Sequence, residues 1–520
     1  MHRFLLATIL VIPPGPGTPP PSHPHLVVFI AVDQLRGDYL ERYRNEWTGG
    51  FRQILDHGAV FPNARQDHGV TETAPGHSTM LSGRTPSHTG IVNNSLGVQD
   101  SASPLVESTG PGASPRRFVG TTLADWMRAA DSGTRVLSVS RKDRGAILPV
   151  GRGPGEVYWY SGVQFTTSQY YADHLPSWVL SFNARRGPQN LAGTNWDLLR
   201  PPGQYREMDS MPFEHGGADF VFPHRLPSDS AAAALQMPDF PWMDSLTLDF
   251  ALDGVRVMGL GTDSATDLLS ISLSTTDAVG HAYGPDSREL HDQLLRLDHW
   301  LGWFLDSLSQ SVPPSQTVFA ISSDHGVQSF PEFARQYRQQ DGGRVSLADL
   351  VRQLGRDLQA RYQSRFELQF ESGLLTADVA GMRARGINVD SLAEALAVIA
   401  RGRRGVTRIL TPALLASARD SDQVARLWRR DIPAAQGWLL AGTLKGGFMW
   451  SDSDGWTTHG SLAADDMSIP IAFWGAGVKS GIFRRTVSSV DIAPTLAALV
   501  GVAPTEALDG QVLHEVKGER

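Results

Sequence analysis

Leu26-Val-Val-Phe-Ile-Ala-Val-Asp33 decides the architecture: seven apolar residues without a break, rich in β-branched types, stopped by an aspartate. A continuous apolar run of that length suits a strand buried on both faces, as in a parallel sheet covered by helices. The same layout recurs along the chain. Arg135 to Val139 leads toward Lys142 and Arg144, Leu268 to Leu273 toward Asp277, and Thr317 to Ile321 into Asp324-His325. Helical patterns lie between these runs, the clearest from Ser287 to Leu308, where Leu290, Leu294, Leu297 and Leu301 recur at helical spacing. A last helix is predicted after Asp491, stopping around Gly501. Alternating strands and helices predict an α/β fold with a mostly parallel central sheet and helices on both faces. Sites in such sheets lie beyond the carboxyl ends of the strands, so the polar residues that end each run are expected to converge.

Working outward, the chain divides into a leader (1–24), a catalytic domain (25–513) and a short tail (514–520). Met1-His2-Arg3 followed by Phe4 to Ile12 reads as a signal peptide, with Pro13 to Pro24 as a tether; a plain leader is the alternative. The apolar run is too short to cross a bilayer, and no later run is apolar enough, so a periplasmic or secreted protein without a membrane span is expected. Residues 151–263, rich in Trp, Tyr, Pro and Gly, and residues 331–445, with Arg-rich helical patterns, fit the strand–helix rhythm poorly. Both are read as insertions forming a cap or side lobe. A net charge of -8, without a basic stripe, argues against nucleic acid as a partner. A monomer is the expectation for the oligomeric state.

The chain has no cysteine, which excludes disulfides, thiolate metal sites and cysteine nucleophiles. Any metal must then be held by imidazoles and carboxylates. Asp277-Ala-Val-Gly-His281, Ser323-Asp324-His325-Gly326 and Thr458-His459-Gly460, with Asp33, supply such groups on four segments. Neutral imidazoles and carboxylates suit zinc, and six of them suffice for two ions. A second constellation is Thr71-Glu72-Thr73-Ala74-Pro75-Gly76-His77, ahead of a small-residue run, Ser78 to Gly83, that could start a helix. A threonine hydroxyl is a poor nucleophile, but a neighbouring metal and a helix N-terminus would favour its alkoxide. A helix-capping role for Thr73 is the alternative.

In this order, Asp33, Thr73 in Thr-x-Pro-Gly-His, Asp277-x-x-x-His281, Asp324-His325 and Thr-His459-Gly, the chain resembles the alkaline phosphatase superfamily. Within it, the chain is most similar to the phosphate-irrepressible, broad-specificity alkaline phosphatases, and next to the nucleotide pyrophosphatase/phosphodiesterases. The resemblance runs from about Leu26 to Leu513 and includes Gly90-Ile91-Val92-Asn93-Asn94 and Lys142-Asp143-Arg144. It implies one zinc on Asp277, His281 and His459, a second on Asp33, Asp324 and His325, and Thr73 as nucleophile bordering the second. It implies Asn94, four residues after Gly90, as a phosphate contact. Lys142 and Arg144, two apart at a strand end, can reach one phosphoryl group, and the resembled monoesterases share this Lys-x-Arg. The expectation is a phosphate monoester hydrolase of broad specificity that forms a phosphothreonine and releases inorganic phosphate. A phosphodiesterase on the same scaffold is the nearest rival, and a non-catalytic secreted binding protein a more distant one.

Overall fold

A computed structural model describes residues 23–518, so the leader up to Ser22 and the last two residues of the tail lie outside the described residues. In chain order the main sheet comprises β1 (Leu26–Val32), β2 (Ala59–Arg65), β3 (Val136–Ser140), β4 (Glu156–Ser161), β5 (Gln164–Thr166), β6 (Asp267–Leu273) and β7 (Thr317–Ser322). A later segment, Ser468–Gly475, returns to the same sheet. The five strands β7-β1-β6-β3-β4 run parallel, as the apolar runs predict. Ser468–Gly475 lies between β2 and β7, antiparallel to both, and β5 closes the other edge antiparallel to β4.

All seven residues of β1 are buried, and alternate side chains serve opposite faces. Leu26, Val28, Ile30 and Val32 join one core with α1 (Gly50–His57) and two long helices described below, while Val27, Phe29 and Ala31 join a second. Each such side chain contributes about 1.5–3 kcal/mol by leaving water. The second core is covered by α2 (Thr73–Met80), α3 (Leu123–Ala130) and a C-terminal helix (Ile492–Val500) capped by Gly501. Next along the chain come α4 (Asp143–Ile147), α5 (Trp242–Met258), α6 (Thr275–Tyr283) and α7 (Arg288–Ser309). Helices α5 and α7 complete the first core, and α7 is capped by Ser287.

Register levels the strand ends. Ala31 is opposite both Ser272 and Ser322, and Ser272 is opposite Ser140. Residues just past these positions on four strands therefore emerge along one line.

Two readings need correction. The stretch 151–263 is not a separate insertion: β4 and β5 extend the central sheet, and Phe250 of α5 packs with Leu137 and Tyr158 in its core. Tyr158, Trp159, Tyr160 and Phe165 are buried side chains of these two strands, whereas the aromatics from Trp196 to Phe240 lie outside the central sheet. Residues within 331–445 share a core of their own under helices Ala348–Tyr362 and Val389–Arg401. Their sheet contains β8 (Leu368–Glu371), β9 (Leu374–Ala377), β10 (Val406–Leu410) and β11 (Trp438–Leu444), in the order β8-β9-β11-β10. That region extends past 445, because β12 (Phe448–Trp450) pairs with Gly343–Val345. The strand Ser468–Gly475 is hereafter β13.

Candidate active site

Asp33 leaves β1, Ser323-Asp324-His325 leave β7, and Lys142 leaves β3, all at the levelled edge. Asp277 and His281 stand one turn apart on α6, so both face the same side of that helix. His459 arrives on a loop before β13. These groups meet: the ligand atoms of Asp277, His281 and His459 lie within 4.8 Å of one another, and so do those of Asp33, Asp277 and His325. Asp324 Oδ2 is 3.6 Å from His325 Nε2. Asp277 thus reaches toward both groups, where the resemblance implies that it belongs to one.

The three imidazoles share one orientation. Nδ1 of His281, His459 and His325 lies 2.8, 2.8 and 3.0 Å from the carbonyls of Thr457, Thr71 and Gly326. A carbonyl only accepts, so each Nδ1 carries the proton and each Nε2 presents a lone pair. The Nε2 atoms of His281 and His459 then face each other at 3.2 Å, an arrangement that a shared cation would relieve. His325 Nε2, Asp33 Oδ1 and Asp324 Oδ2 are buried without a hydrogen-bond partner among the described residues. Orphaned buried atoms of this kind are costly unless a ligand satisfies them. The donor set fits metal bound through nitrogen and oxygen.

Electrostatics agree. Burial, then the carboxylates of Asp277 and Asp324, push the Asp33 carboxyl up. For Asp277 burial acts in the same sense, but Lys142, His281 and His459 outweigh it and hold that carboxyl well below the usual range. Burial and the neighbouring His459 keep His325 neutral by driving its pKa well down. Three buried carboxylates face one ammonium, leaving a deficit of positive charge.

That ammonium is Lys142. Its Nζ lies 2.5 Å from Asp33 Oδ2, 2.6 Å from Asp277 Oδ2 and 3.3 Å from Thr73 Oγ1. Thr73 is the first residue of α2, so the helix begins at the threonine rather than in the run from Ser78, and Glu72 occupies the cap position without a side-chain cap. Gly76 permits the close approach, since a Cβ there would strike the Asp324 backbone. Asn94 lies beside Thr73: its Oδ1 accepts the Ala74 N–H at 2.9 Å, which leaves its amide NH2 as donor toward the same space. Asn93 instead turns away to accept from Leu96. Arg144 lines the same cavity as Lys142, Asp277 and His281, and its Nε has no partner among the described residues.

Sequence reading missed the groups that hold this arrangement. Gln34, at a positive φ of 67°, donates from Nε2 to Asp277 Oδ1 at 2.8 Å and from its backbone to Asp324 Oδ1 at 3.1 Å. His77 is anchored to the Thr73 carbonyl and Ser272, and its Nδ1 is 3.1 Å from Asp324 Oδ2. Glu72 accepts the Asn94 N–H at 2.8 Å and the hydroxyl of Ser372, at the tip of the β8–β9 hairpin. The adjacent Glu371 accepts the Ser95 N–H at 3.3 Å, and Gly460, at φ +97°, passes where a Cβ would strike Ser372. Burial, then Glu371, pushes the Glu72 carboxyl up to about 8. Proximity in sequence pointed to Gln34 and Glu72; nothing local pointed to Ser372.

Residues 27–435 match the sequence profile of the family described as type I phosphodiesterase / nucleotide pyrophosphatase. The chain is 31% identical to alkaline phosphatase PhoV of Synechococcus elongatus, over 95% of this chain and 93% of that one. It is 30% identical to alkaline phosphatase PafA of Elizabethkingia meningoseptica over 95% of each, and 32% identical to alkaline phosphatase PhoK of Sphingomonas over 95% and 92%. The crystal structure of PafA superposes with a TM-score of 0.87 at 28% identity, covering 95% of this chain and 99% of that one. A PafA variant with a threonine, an asparagine, a lysine and an arginine replaced, in that chain order, superposes with a TM-score of 0.88 at 27% identity.

Proposed function

Because the chain belongs to the type I phosphodiesterase/nucleotide pyrophosphatase family, in its alkaline phosphatase branch, and is itself an alkaline phosphatase, we propose that it hydrolyses diverse phosphate monoesters through Thr73 at a two-zinc centre. The observation that carries this reading is the Lys142 ammonium, 3.3 Å from Thr73 Oγ1 and bonded to both carboxylates that border it. Thr73, Asn94, Lys142 and Arg144 also repeat, in type and order, the four residues replaced together in the PafA variant, which supports their assignment.

Asp277, His281 and His459 would hold one ion, and Asp33, Asp324 and His325 the other, with Thr73 Oγ1 bordering the second. Bound there, the ions supply Lewis-acid stabilisation of the attacking and departing oxygens. Lys142 and the N-terminus of α2 favour the Thr73 alkoxide. Thr73 Oγ1 attacks phosphorus, the bond to the leaving alcohol breaks, and the alcohol takes its proton from water. Water then cleaves the phosphothreonine from the face the alcohol left and releases inorganic phosphate. Two inversions give net retention. The transition state is loose and spreads charge over the nonbridging oxygens, where Lys142, Arg144 and the Asn94 amide donate. Two cations beyond the metals benefit a monoester dianion more than a diester monoanion. Export to the periplasm or medium belongs to the same reading, supported by the basic start and apolar run to Ile12, and cell fractionation tests it.

Nitrophenyl phosphate and a matched methyl nitrophenyl diester separate the monoesterase from its rival. The expected outcome is faster monoester turnover, abolished by chelation and restored by zinc. Lys142→Ala should lower the monoester rate about 10²–10³-fold and the diester rate far less; diester-favoured turnover, or a parallel fall, overturns the assignment.

A further inference from the structure

Beyond His281 the catalytic groups open into a cavity of about 640 Å³. A volume of this size holds a small organic group rather than a phosphate alone. Its far side is an arc of rings. Trp456 meets His215 with centroids 5.4 Å apart, His215 meets Tyr283 at 5.4 Å, Tyr283 meets Trp196 at 6.3 Å, and Trp196 meets Phe240 at 6.1 Å. All five line the cavity.

Trp456 stands at the rim with 41% of its surface exposed. The segment is nevertheless fixed. Gly455 accepts from Gly216 at 2.9 Å, Trp456 accepts from Arg344 at 3.0 Å, and the following Thr457 carbonyl orients His281. The backbone that carries the indole is therefore held at a set position relative to a catalytic imidazole. His215, in a left-handed backbone conformation at φ 47°, has a buried Nδ1 without a partner among the described residues. That atom supplies an unsatisfied hydrogen-bonding position within the aromatic wall.

The charges on this wall are largely compensated. Arg141 pairs with Asp239 at 2.9 Å and Asp219 lies 3.2 Å from His224, which leaves Arg225 as the cation of the outer rim. A leaving group carrying further phosphates would need more positive charge than this. Ring walls, the polar positions of His215 and Gln236, and little net charge suit an uncharged planar ring.

We propose that this cavity is a leaving-group site for phosphate monoesters whose alcohol carries an uncharged aryl or heteroaryl ring, with Trp456 as its rim contact. The proposal rests on the monoesterase reading above and deepens it by naming a substrate class. It assigns the aromatic residues of the 188–241 region and of the 451–458 loop to selectivity rather than to the chemical step.

The test compares zinc-loaded wild type, Trp456→Phe and Trp456→Ala on phenyl phosphate, AMP and glycerol 2-phosphate. Comparing each variant with wild type cancels differences in leaving-group reactivity between the esters. Trp456→Ala should lower kcat/KM about 3- to 10-fold for a ring-bearing ester, the size expected for one lost ring contact, while glycerol 2-phosphate changes less than about twofold on the same basis. Trp456→Phe should restore most of the loss. Phenyl phosphate and AMP distinguish a ring joined directly to the phosphoryl oxygen from one set back by a sugar. As a binding readout free of turnover, Trp456→Ala should weaken inhibition by phenylphosphonate and leave methylphosphonate unchanged. Equal losses on all three esters, or no loss on either ring-bearing ester, overturn the proposal. Absence of turnover on every ester by the wild type would instead overturn the monoesterase reading itself.

Discussion

The two imidazole–carboxylate clusters differ in access. Asp33, Asp324 and His325 are fully buried at the strand ends, whereas the His281 side chain is 30% exposed and faces the cavity. The sealed cluster adjoins Thr73 through the Lys142 bridge and the close packing of α2 on Asp324; the open one borders the space beyond. On the proposed mechanism, attack by Thr73 needs fixed charges shielded from water while the departing alcohol needs an exit, and one line of strand ends offers both.

The largest effect should come from the sealed side. Thr73→Ala should lower turnover by about 10⁴-fold or more, as loss of a nucleophile does, with metal content by atomic emission close to wild type. Loss of metal together with activity would make Thr73 a structural element of that cluster. The second effect sets the clusters against each other. Asp324→Ala and His281→Ala should each cost about 10³-fold, from several kcal/mol of lost Lewis-acid stabilisation, but only His281→Ala should recover in excess zinc, because only its cluster opens to solvent. Identical recovery would erase the distinction.

The smallest effect concerns Glu72, behind the threonine. Burial and Glu371 raise its carboxyl from 4.5 to about 8 in the folded chain. The native state therefore holds a proton that the unfolded state has released across this window, and stability falls as pH rises from about 4.5 to 8. Glu72→Gln, measured by Tm against pH, should flatten that slope, while activity falls about 10-fold or less, as for outer contacts generally. A slope unchanged by the substitution would assign the pH dependence to other groups.

Much of this was legible in the residues. Runs such as Leu26–Val32 reveal themselves because burial on both faces leaves no polar position to disguise the strand. The polar stops revealed the site because parallel strands deliver their ends to one edge. Asn94, the asparagine that the resemblance implies, accepts the Ala74 N–H beside Thr73. The start of α2 was placed too late because Ala74-Pro75-Gly76 resembles a loop locally, although proline is at home in a helix's first turn. The aromatic stretch just after Gly151 was misplaced because a sheet strand and a lobe draw on the same residue types. Ser372 was invisible: its partner Glu72 lies 300 positions away, and no local pattern encodes a contact made through the docking of a hairpin.

The position of β13 has a consequence for biosynthesis. A ribosome delivers Asp33 early, but the slot between β2 and β7 stays unfilled until Gly475 has been made, and His459 emerges only shortly before. An incomplete nascent chain can assemble several strands and most of the donor atoms while lacking the last imidazole and the strand that closes the sheet. A chain cut before Thr458 would therefore lack at once His459, the strand between β2 and β7 and the C-terminal helix that covers the second core.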